Sequence, residues 1–296
     1  MNLVIVFSLL FLLFSGGRAG IVSFDRDNSP PAILLVPGAF HQAVVYDTVG
    51  HLLKNAGYNG VVEAINLPSV GSLASRDDDV KALRRVMDKY LDLGRDIVLV
   101  GNSYGCTVIG DAVLNIPSAT TTPPYDEEGR RRGRVVSLLY FSGYLPYTEQ
   151  VVHPETKPDI RLVSPKWFAF LPNDSPSAIP KTVRWDGDLQ SSPPDKEFYN
   201  VLAQRNPAAA NYWVGQLRYS SFAALNATAR YIPYNGDFRV IYVAGKQDNS
   251  VPPELWHSYL DQPGAKFILE VLDGDHVPML SRPEEVVKLI INYTKL

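Results

Sequence analysis

Residues 96–105 have the sequence Asp-Ile-Val-Leu-Val-Gly-Asn-Ser-Tyr-Gly. The apolar run after the aspartate is typical of a strand buried on both faces of a sheet. It ends in a Gly-x-Ser-x-Gly motif, and a helical pattern follows from Cys106 to Leu114. In this strand–turn–helix context, the motif predicts a nucleophile elbow with Ser103 as the nucleophile. The alternative is a tight βα turn with an incidental serine.

The residues of this elbow have distinct physical roles. The serine adopts strained backbone angles that lift its Oγ clear of the sheet. Neighbouring segments of the chain are expected to lie so close to Gly101 and Gly105 that neither position has room for a Cβ atom. The turn also aims the backbone N–H of Tyr104 at the oxyanion that would form on a substrate. The side chains at the two x positions, Asn102 and Tyr104, carry little information because both positions vary in this motif.

Apolar runs alternate with helical patterns along most of the chain. The predicted strands are Ala32–Val36, Gly60–Leu67, Asp96–Val100, Val135–Phe141, Phe238–Ala244 and Lys266–Leu272. The predicted helices are Tyr46–Ala56, Asp77–Leu93, Cys106–Leu114, Pro252–Asp261 and Pro283–Tyr293. This alternation indicates βαβ crossovers and an α/β fold, with a mostly parallel sheet that helices cover on both faces.

Two stretches interrupt this alternation. Ile116–Gly133 is rich in proline and charge and is predicted to be a surface loop. Residues 146–235 contain many prolines and aromatic side chains and no strong strand pattern. An insertion of this length between two sheet strands favours a cap beside the active site over a helical excursion packed on the sheet edge.

A serine nucleophile needs a base, and the base needs an orienting carboxylate. In chains with this elbow, the carboxylate and then the histidine follow the serine. Asp248 comes shortly after the predicted strand that ends at Ala244, and His276 after the strand that ends at Leu272. Both are therefore expected at the carboxyl edge of the sheet, where open α/β sheets bind their ligands.

Other side chains compete for these two roles. Asp237 precedes its strand, which puts it at the wrong end, and Asp273 lies on the same loop as the candidate base. Asp275 is adjacent to His276 and is expected at most to cap its loop. His41 is the rival base. It follows the first strand and is expected either to contact the substrate or to pack.

The second oxyanion donor is expected in the loop after the first strand. Pro37-Gly38-Ala39-Phe40 stands there. Gly38 lets the backbone turn tightly, so the backbone N–H of Ala39 is the candidate.

The first 19 residues are predicted to be a secretory signal peptide. Leu3–Phe14 is apolar apart from Ser8 and is too short to span a ~30 Å hydrocarbon core. Small residues at 17 and 19 match a signal-peptidase site before Gly20. The sequence thus predicts a secreted domain over residues 20–296 without a lasting membrane anchor; an uncleaved anchor and a buried first strand are the alternatives. Three Asn-x-Ser/Thr triplets, at Asn173, Asn226 and Asn292, are compatible with glycosylation.

Composition argues against several other classes of protein. The chain has 28 Lys and Arg residues against 31 Asp and Glu residues, a formal charge of -3. A nucleic-acid binder would be clearly basic or carry a basic stripe. The single cysteine, Cys106, excludes an internal disulfide, and the five histidines form no close pair. A structural zinc site is therefore not expected.

Three segments together resemble the α/β-hydrolase superfamily. They are residues 34–41 (Leu-Leu-Val-Pro-Gly-Ala-Phe-His), the motif at 101–105, and residues 274–286 (Gly-Asp-His-Val-Pro-Met-Leu-Ser-Arg-Pro-Glu-Glu-Val). The similarity runs from Ile33 to the C-terminus, is weakest across the cap, and is greatest to the plant methylesterase and hydroxynitrile lyase branch and its fungal relatives.

The resemblance implies an α/β-hydrolase fold with an eight-stranded, mostly parallel sheet and a helical cap. It also implies a cofactor-free Ser-His-Asp site without metal. The implied catalytic residues are Ser103, His276 and Asp248, and the backbone N–H groups of Ala39 and Tyr104 are the implied oxyanion donors.

Two positions separate esterases from lyases in this branch. The lyases resemble one another in a threonine in the loop after the first strand, where Gly38 stands here, and in a lysine directly after the catalytic histidine, where Val277 stands. The lysine can stabilise a leaving cyanide, whereas Val277 offers no charge. The usual His-Gly opening of the loop is Pro37-Gly38 in this chain, a departure that leaves the backbone donor in place.

The sequence therefore predicts a secreted serine hydrolase that cleaves a carboxylic ester or lactone through an acyl-enzyme. The aromatic cap favours a small apolar or aromatic substrate. Two alternatives stay open. One is C–C bond hydrolysis or a lyase reaction on the same scaffold, and the other is a receptor-like ligand-binding protein with slow or no turnover.

Overall fold

The computed structural model describes residues 29–120, 125–126, 128–172 and 178–295. The predicted signal peptide at 1–19 and the triplet that begins at Asn173 lie outside them. Nine strands are present in the described part: β1 (Ala32–Val36), β2 (Val62–Ala64), β3 (Ile97–Asn102), β4 (Val135–Phe141), β5 (Ala169–Leu171), β6 (Thr182–Arg184), β7 (Ser220–Ser221), β8 (Val240–Gly245) and β9 (Ile268–Leu272).

Helices connect most of these strands. They are α1 (Asp47–Asn55), α2 (Arg76–Leu91), α3 (Tyr104–Ala112), α4 (Thr148–Val152), α5 (Ile160–Val163), α6 (Pro194–Phe198), α7 (Asn200–Arg205), α8 (Pro207–Gln216), α9 (Phe222–Leu225), α10 (Pro253–Leu260), α11 (Pro278–Ser281) and α12 (Pro283–Asn292). Short 3-10 turns span Ala43–Tyr46, Pro154–Thr156 and Pro233–Asn235.

The main sheet has the strand order β2-β1-β3-β4-β8-β9, and every neighbouring pair is parallel. All residues of β1, β3, β4 and β8 are buried, so both faces of the sheet are covered. The α/β fold with a parallel sheet is therefore confirmed. The described residues give this sheet six strands, however, two fewer than the resemblance implies.

The order of the strands locates the site. The chain passes from β1 to β2 on one side and then crosses to β3 on the other side of β1. Ligands of open α/β sheets bind outside the carboxyl ends of strands at such a reversal. Ala39 follows β1 and Ser103 follows β3, so both lie at this point.

Residues 146–235, which we call the cap segment, are not purely helical. They contain α4 to α9 and a second, antiparallel sheet of order β5-β6-β7. The sequence pattern missed this sheet because its strands have only two or three residues, too few to show an alternation. An isolated bridge between Val70 and Ser220 links the cap segment to the loop after β2.

Candidate active site

Ser103 occupies a strained turn between β3 and α3. Its φ is 51° and its ψ is −123°, outside the regions that L-residues prefer. A Cβ atom at Gly105 would lie 2.5 Å from the carbonyl oxygen of Pro37, and one at Gly101 would lie 2.8 Å from the side chain of Ile109. The Gly-x-Ser-x-Gly spacing is therefore required by close packing of the elbow against β1 and α3.

The loop after β1 packs directly against this elbow. A Cβ atom at Gly38 would lie 2.9 Å from the Cβ of Ser103. Phe40 has a φ of 67°, and its N–H donates to the Ser220 hydroxyl at 2.9 Å. Its carbonyl accepts from the N–H of Arg218 at 2.9 Å. These bonds hold the loop beside the serine.

Ala39 and Tyr104 line the same cavity as Ser103, and their backbone N–H groups are the predicted oxyanion donors. Neither donates to an acceptor in the described part of the chain. Tyr104 is the first residue of α3, where backbone N–H groups have no partner within the helix. Two unpaired donors at a serine can stabilise an oxyanion if a carbonyl binds there.

His276 and Asp248 form a buried pair. Nδ1 of His276 lies 3.0 Å from both carboxylate oxygens of Asp248, and each residue is only 3% exposed. Oδ1 of Asp248 also accepts the N–H groups of Ser250 and Val251, at 2.8 Å each. Because a carboxylate only accepts, the proton of a neutral His276 is assigned to Nδ1, which leaves Nε2 able to accept a proton.

The competing carboxylates make other bonds. Asp237 accepts from Tyr231 and Asn235, and Asp273 accepts from the Gln247 amide. Neither contacts the ring of His276. Of the candidate carboxylates in the described residues, Asp248 is thus the one paired with the histidine.

Asp275 has a larger structural role than loop capping. It is fully buried, and its Oδ2 accepts the N–H groups of Val201 and Leu202 in α7 at 3.1 Å each. Its Oδ1 accepts the Ser281 hydroxyl at 2.6 Å. Burial raises the pKa of the Asp275 carboxyl. This side chain therefore ties the cap segment to the loop that carries His276.

His41 lies in the loop after β1 and is not among the residues that line the cavity. Its Nδ1 is 2.7 Å from the Ala39 carbonyl and its Nε2 is 2.8 Å from the Tyr199 hydroxyl. Burial lowers the pKa of His41 to about 4, with a smaller contribution from nearby His276. The neutral ring donates from Nδ1 to the carbonyl and accepts from Tyr199, so it positions the loop.

The side chains at the two variable positions of the motif, Asn102 and Tyr104, both make hydrogen bonds in or beside the site. Nδ2 of Asn102 donates to the carbonyls of Phe141, at 3.1 Å, and His276, at 2.9 Å. The Tyr104 hydroxyl donates to the buried carboxylate of Asp79 at 2.8 Å. Sequence reasoning missed these roles because both partners are far away along the chain.

A cavity of about 310 Å³ opens beside Ser103 and His276. Its wall combines Phe40 of the core with aromatic residues of the cap segment, among them Trp167 and Phe198. Trp167 packs edge to face against Phe198 with 5.2 Å between ring centroids, and Phe198 lies 5.9 Å from the ring of His276. The polar groups at the carboxyl edge of the sheet thus face a largely apolar cavity with several aromatic side chains in its wall.

Neither a metal site nor a membrane span is present in the described ranges. They contain no cluster of three His, Cys, Asp or Glu side chains that could hold a metal ion. No helix in the same ranges is long and apolar enough to cross a membrane.

Comparison with known proteins gives a family and a fold. The model of the alpha/beta hydrolase family matches residues 33–289. The chain is 24% identical over 269 residues to the alpha/beta hydrolase nvfD of Aspergillus novofumigatus, covering 88% of this chain and 96% of that protein. It is 23% identical over 285 residues to methylesterase 7 of Arabidopsis thaliana, covering 89% and 96%.

A solved structure agrees with these matches. The crystal structure of polyneuridine aldehyde esterase superposes with a TM-score of 0.64 at 19% identity, covering 90% of this chain and all of that one. At this identity the superposition supports the fold.

Proposed function

Since the chain belongs to the α/β-hydrolase family and is an enzyme of the hydrolase type, we propose that it cleaves a carboxylic ester or lactone through an acyl-enzyme. The nucleophile is Ser103, the base His276 and the orienting acid Asp248. One observation carries the proposal: the strained Ser103 and His276, whose ring is paired with the buried Asp248, border one cavity.

The geometry supports the following order of steps. Ser103 Oγ attacks the substrate carbonyl while Nε2 of His276 takes its proton. Asp248 holds the Nδ1 proton and stabilises the imidazolium that forms. His276 then protonates the leaving alcohol, the acyl group remains on Ser103, and a water activated by His276 releases the acid.

The charge on each tetrahedral intermediate needs donors that are already in place. The N–H groups of Ala39 and Tyr104 supply them in this proposal, because no acceptor in the described chain engages either one. A single donor of this kind typically contributes ~2.7–4 kcal/mol of transition-state stabilisation.

Hydrolysis is favoured over cyanohydrin cleavage by the surroundings of the base. Val277 directly follows His276 and is fully buried, so no cation stands there to stabilise a leaving cyanide. The names of two similar proteins, a methylesterase and an aldehyde esterase, also favour ester substrates.

The test is labelling with a fluorophosphonate probe together with turnover of 4-nitrophenyl esters. We expect wild type to label, and Ser103→Ala to lose labelling and to lower kcat on the order of 10⁶-fold. Ser142→Ala is the matched control, since Ser142 also follows a sheet strand with positive φ but does not line the cavity. Unchanged labelling of Ser103→Ala would place the nucleophile elsewhere, and absence of wild-type labelling would favour a receptor-like protein.

A further inference from the structure

The cavity beside Ser103 has an uneven distribution of charge. Apart from His276, two titratable cations border it, Arg76 and Lys157, and none of the described residues that line it is an Asp or Glu. The two cations come from different parts of the fold, Arg76 from the start of α2 and Lys157 from the cap segment. They are close enough for Arg76 to lower the pKa of Lys157, in addition to the larger effect of burial.

Arg76 is a fixed charge. It is 5% exposed, and it donates from Nε to the Ala224 carbonyl at 3.2 Å and from Nη2 to the Leu225 carbonyl at 3.4 Å. Its Nη1 lies 3.9 Å from Asp111, and its guanidinium lies 5.6 Å from the centre of the Tyr104 ring. Burial raises the pKa values of the carboxyl groups of Asp111 and Asp79, and Arg76 acts to lower them. Neither carboxyl group lines the cavity, so the charge of Arg76 is offset within the fold.

Lys157 is a half-buried ammonium group whose bonds go to neutral acceptors. Its Nζ donates to the Pro158 carbonyl at 2.9 Å and to Oδ1 of Asn226 at 3.1 Å. Within the described residues, no carboxylate lies within ion-pair distance of it. The neighbouring Asp159 is engaged by Arg161, at 2.8 and 3.0 Å. Against the larger effect of burial, Asp159 acts from a distance to raise the pKa of Lys157 but makes no ion pair with it. A half-buried ammonium group without a direct ion pair is a suitable partner for an anionic ligand.

From this arrangement we infer that the substrate carries a carboxylate in addition to the ester or lactone group, and that Lys157 binds it. The inference rests on the proposed function, because it places the anion in the cavity of Ser103. The aromatic wall holds the apolar part of the substrate, and Lys157 selects its charged end. The substrate class is then a monoester or lactone of an acid with a second, free carboxylate.

The experiment compares anionic with neutral esters of equal acyl chain length. The anionic set is the mono-4-nitrophenyl esters of succinate, glutarate and adipate, and the neutral set is 4-nitrophenyl butanoate, pentanoate and hexanoate. Wild type is expected to have a higher kcat/KM for at least one anionic ester than for its neutral partner. Lys157→Met is expected to lower that ratio about 10-fold, the size of a charge-assisted bond of ~1.4 kcal/mol.

Two further variants separate recognition from structure. Lys157→Arg keeps the charge and is expected to restore much of the ratio. Lys166→Met removes an exposed lysine of the cap segment that does not line the cavity, and it is expected to leave the ratio unchanged. A structural role for Lys157 would lower both sets of rates equally and leave the ratio constant.

The outcomes distinguish the two proposals. Turnover of neutral esters with no anionic preference in wild type, or with a preference that Lys157→Met does not lower, would overturn the carboxylate site and leave the hydrolase proposal standing. Failure of wild type to hydrolyse any of the six esters or to react with the fluorophosphonate probe would overturn both.

Discussion

At the scale of single residues, the site combines a histidine held by hydrogen bonds with backbone N–H groups that have no acceptor in the described chain. His276 is held from both sides, by Asp248 at its ring and by Asn102 at its carbonyl. The backbone N–H groups of Ala39 and Tyr104 find no acceptor in the described chain. In the proposed reaction, the base and the two oxyanion donors would therefore already be held in place.

The role of Asp248 is tested by Asp248→Asn. Oδ1 of the asparagine would keep the N–H groups of Ser250 and Val251, which turns its NH₂ group toward His276. Nδ1 would then have to accept, and the proton would sit on Nε2, where it blocks transfer from Ser103. We expect kcat to fall on the order of 10⁴-fold in an ester assay. Asp273→Asn, on the histidine loop, should keep most of the rate; the reverse pattern would contradict the assignment.

The lowered pKa of His41 predicts that the stability of the folded protein depends on pH. Its pKa is lowered to about 4 in the fold, whereas an unfolded histidine titrates near ~6.5. Between these values the unfolded chain binds a proton that the folded chain does not. The stability due to neutral His41 is therefore complete above pH 6.5 and is lost as the pH falls toward 4.

His41→Gln removes this titration. From pH 7 to pH 4.5, the free energy of unfolding should fall less for the variant than for wild type, by on the order of 2 kcal/mol. Urea unfolding at the two pH values measures this difference. Parallel pH dependences would mean that His41 is not held neutral by burial.

At the scale of elements, the β3–α3 elbow works because it packs closely against the end of β1. A Cβ atom added at Gly105 would lie 2.6 Å from the carbonyl oxygen of Val36 and 2.5 Å from that of Pro37. Backbone carbonyls cannot turn away as a flexible side chain can, so strand β1 itself would have to shift. Ser103, the proposed nucleophile, and the loop with Ala39 are thereby fixed relative to one another.

Gly105→Ala is therefore expected to destabilise the fold by ~3 kcal/mol, at the upper end of overpacking costs. Gly50→Ala is the control. Gly50 lies inside α1 with no atom within 4 Å of the added Cβ, so alanine should stabilise the helix by ~0.5–1 kcal/mol. Thermal unfolding measures both changes. If the two substitutions changed the stability equally, the elbow would have room for the added Cβ atom.

At the scale of the whole molecule, the cap segment and the sheet meet through polar contacts at the site. Asp275 accepts from the start of α7, and Ser220 of the small sheet accepts from Phe40. Elements of the cap segment are thus bonded to the same loops that carry His276 and Ala39, the proposed base and oxyanion donor.

This coupling predicts the effect of Asp275→Ala. The change leaves the N–H groups of Val201 and Leu202 without their acceptor, at ~1–3 kcal/mol for an unsatisfied buried group. Hydrogen exchange of α7 should accelerate about 10-fold or more, while β3 should change much less. Asp273→Ala serves as the exposed control. Unchanged exchange in α7 would show that Asp275 does not tether the cap segment.

Local sequence patterns were sufficient for the parallel sheet and for the sheet edge at which the candidate site residues lie. Parallel strands put their carboxyl ends at one edge, so the residues after β3, β8 and β9 had to share that edge. The shared edge did not by itself choose Asp248 over Asp273, and the observed contact with His276 decided between them. The close approach at Gly101 and Gly105 agrees with the Gly-x-Ser-x-Gly spacing. The signal peptide stays a prediction, since residues 1–19 lie outside the described chain.

The tertiary structure alone decided what depends on contacts between distant segments. Asn102 bonds to His276 across 174 positions, and Lys157 to Asn226 across 69. The three short strands of the cap segment gain their stability from pairing with one another, which their own residues do not specify. Periodicity reports which face of an element is buried, but the partner of a buried polar group is set only when the chain has folded, because each such group must then find its bond among whatever segments surround it.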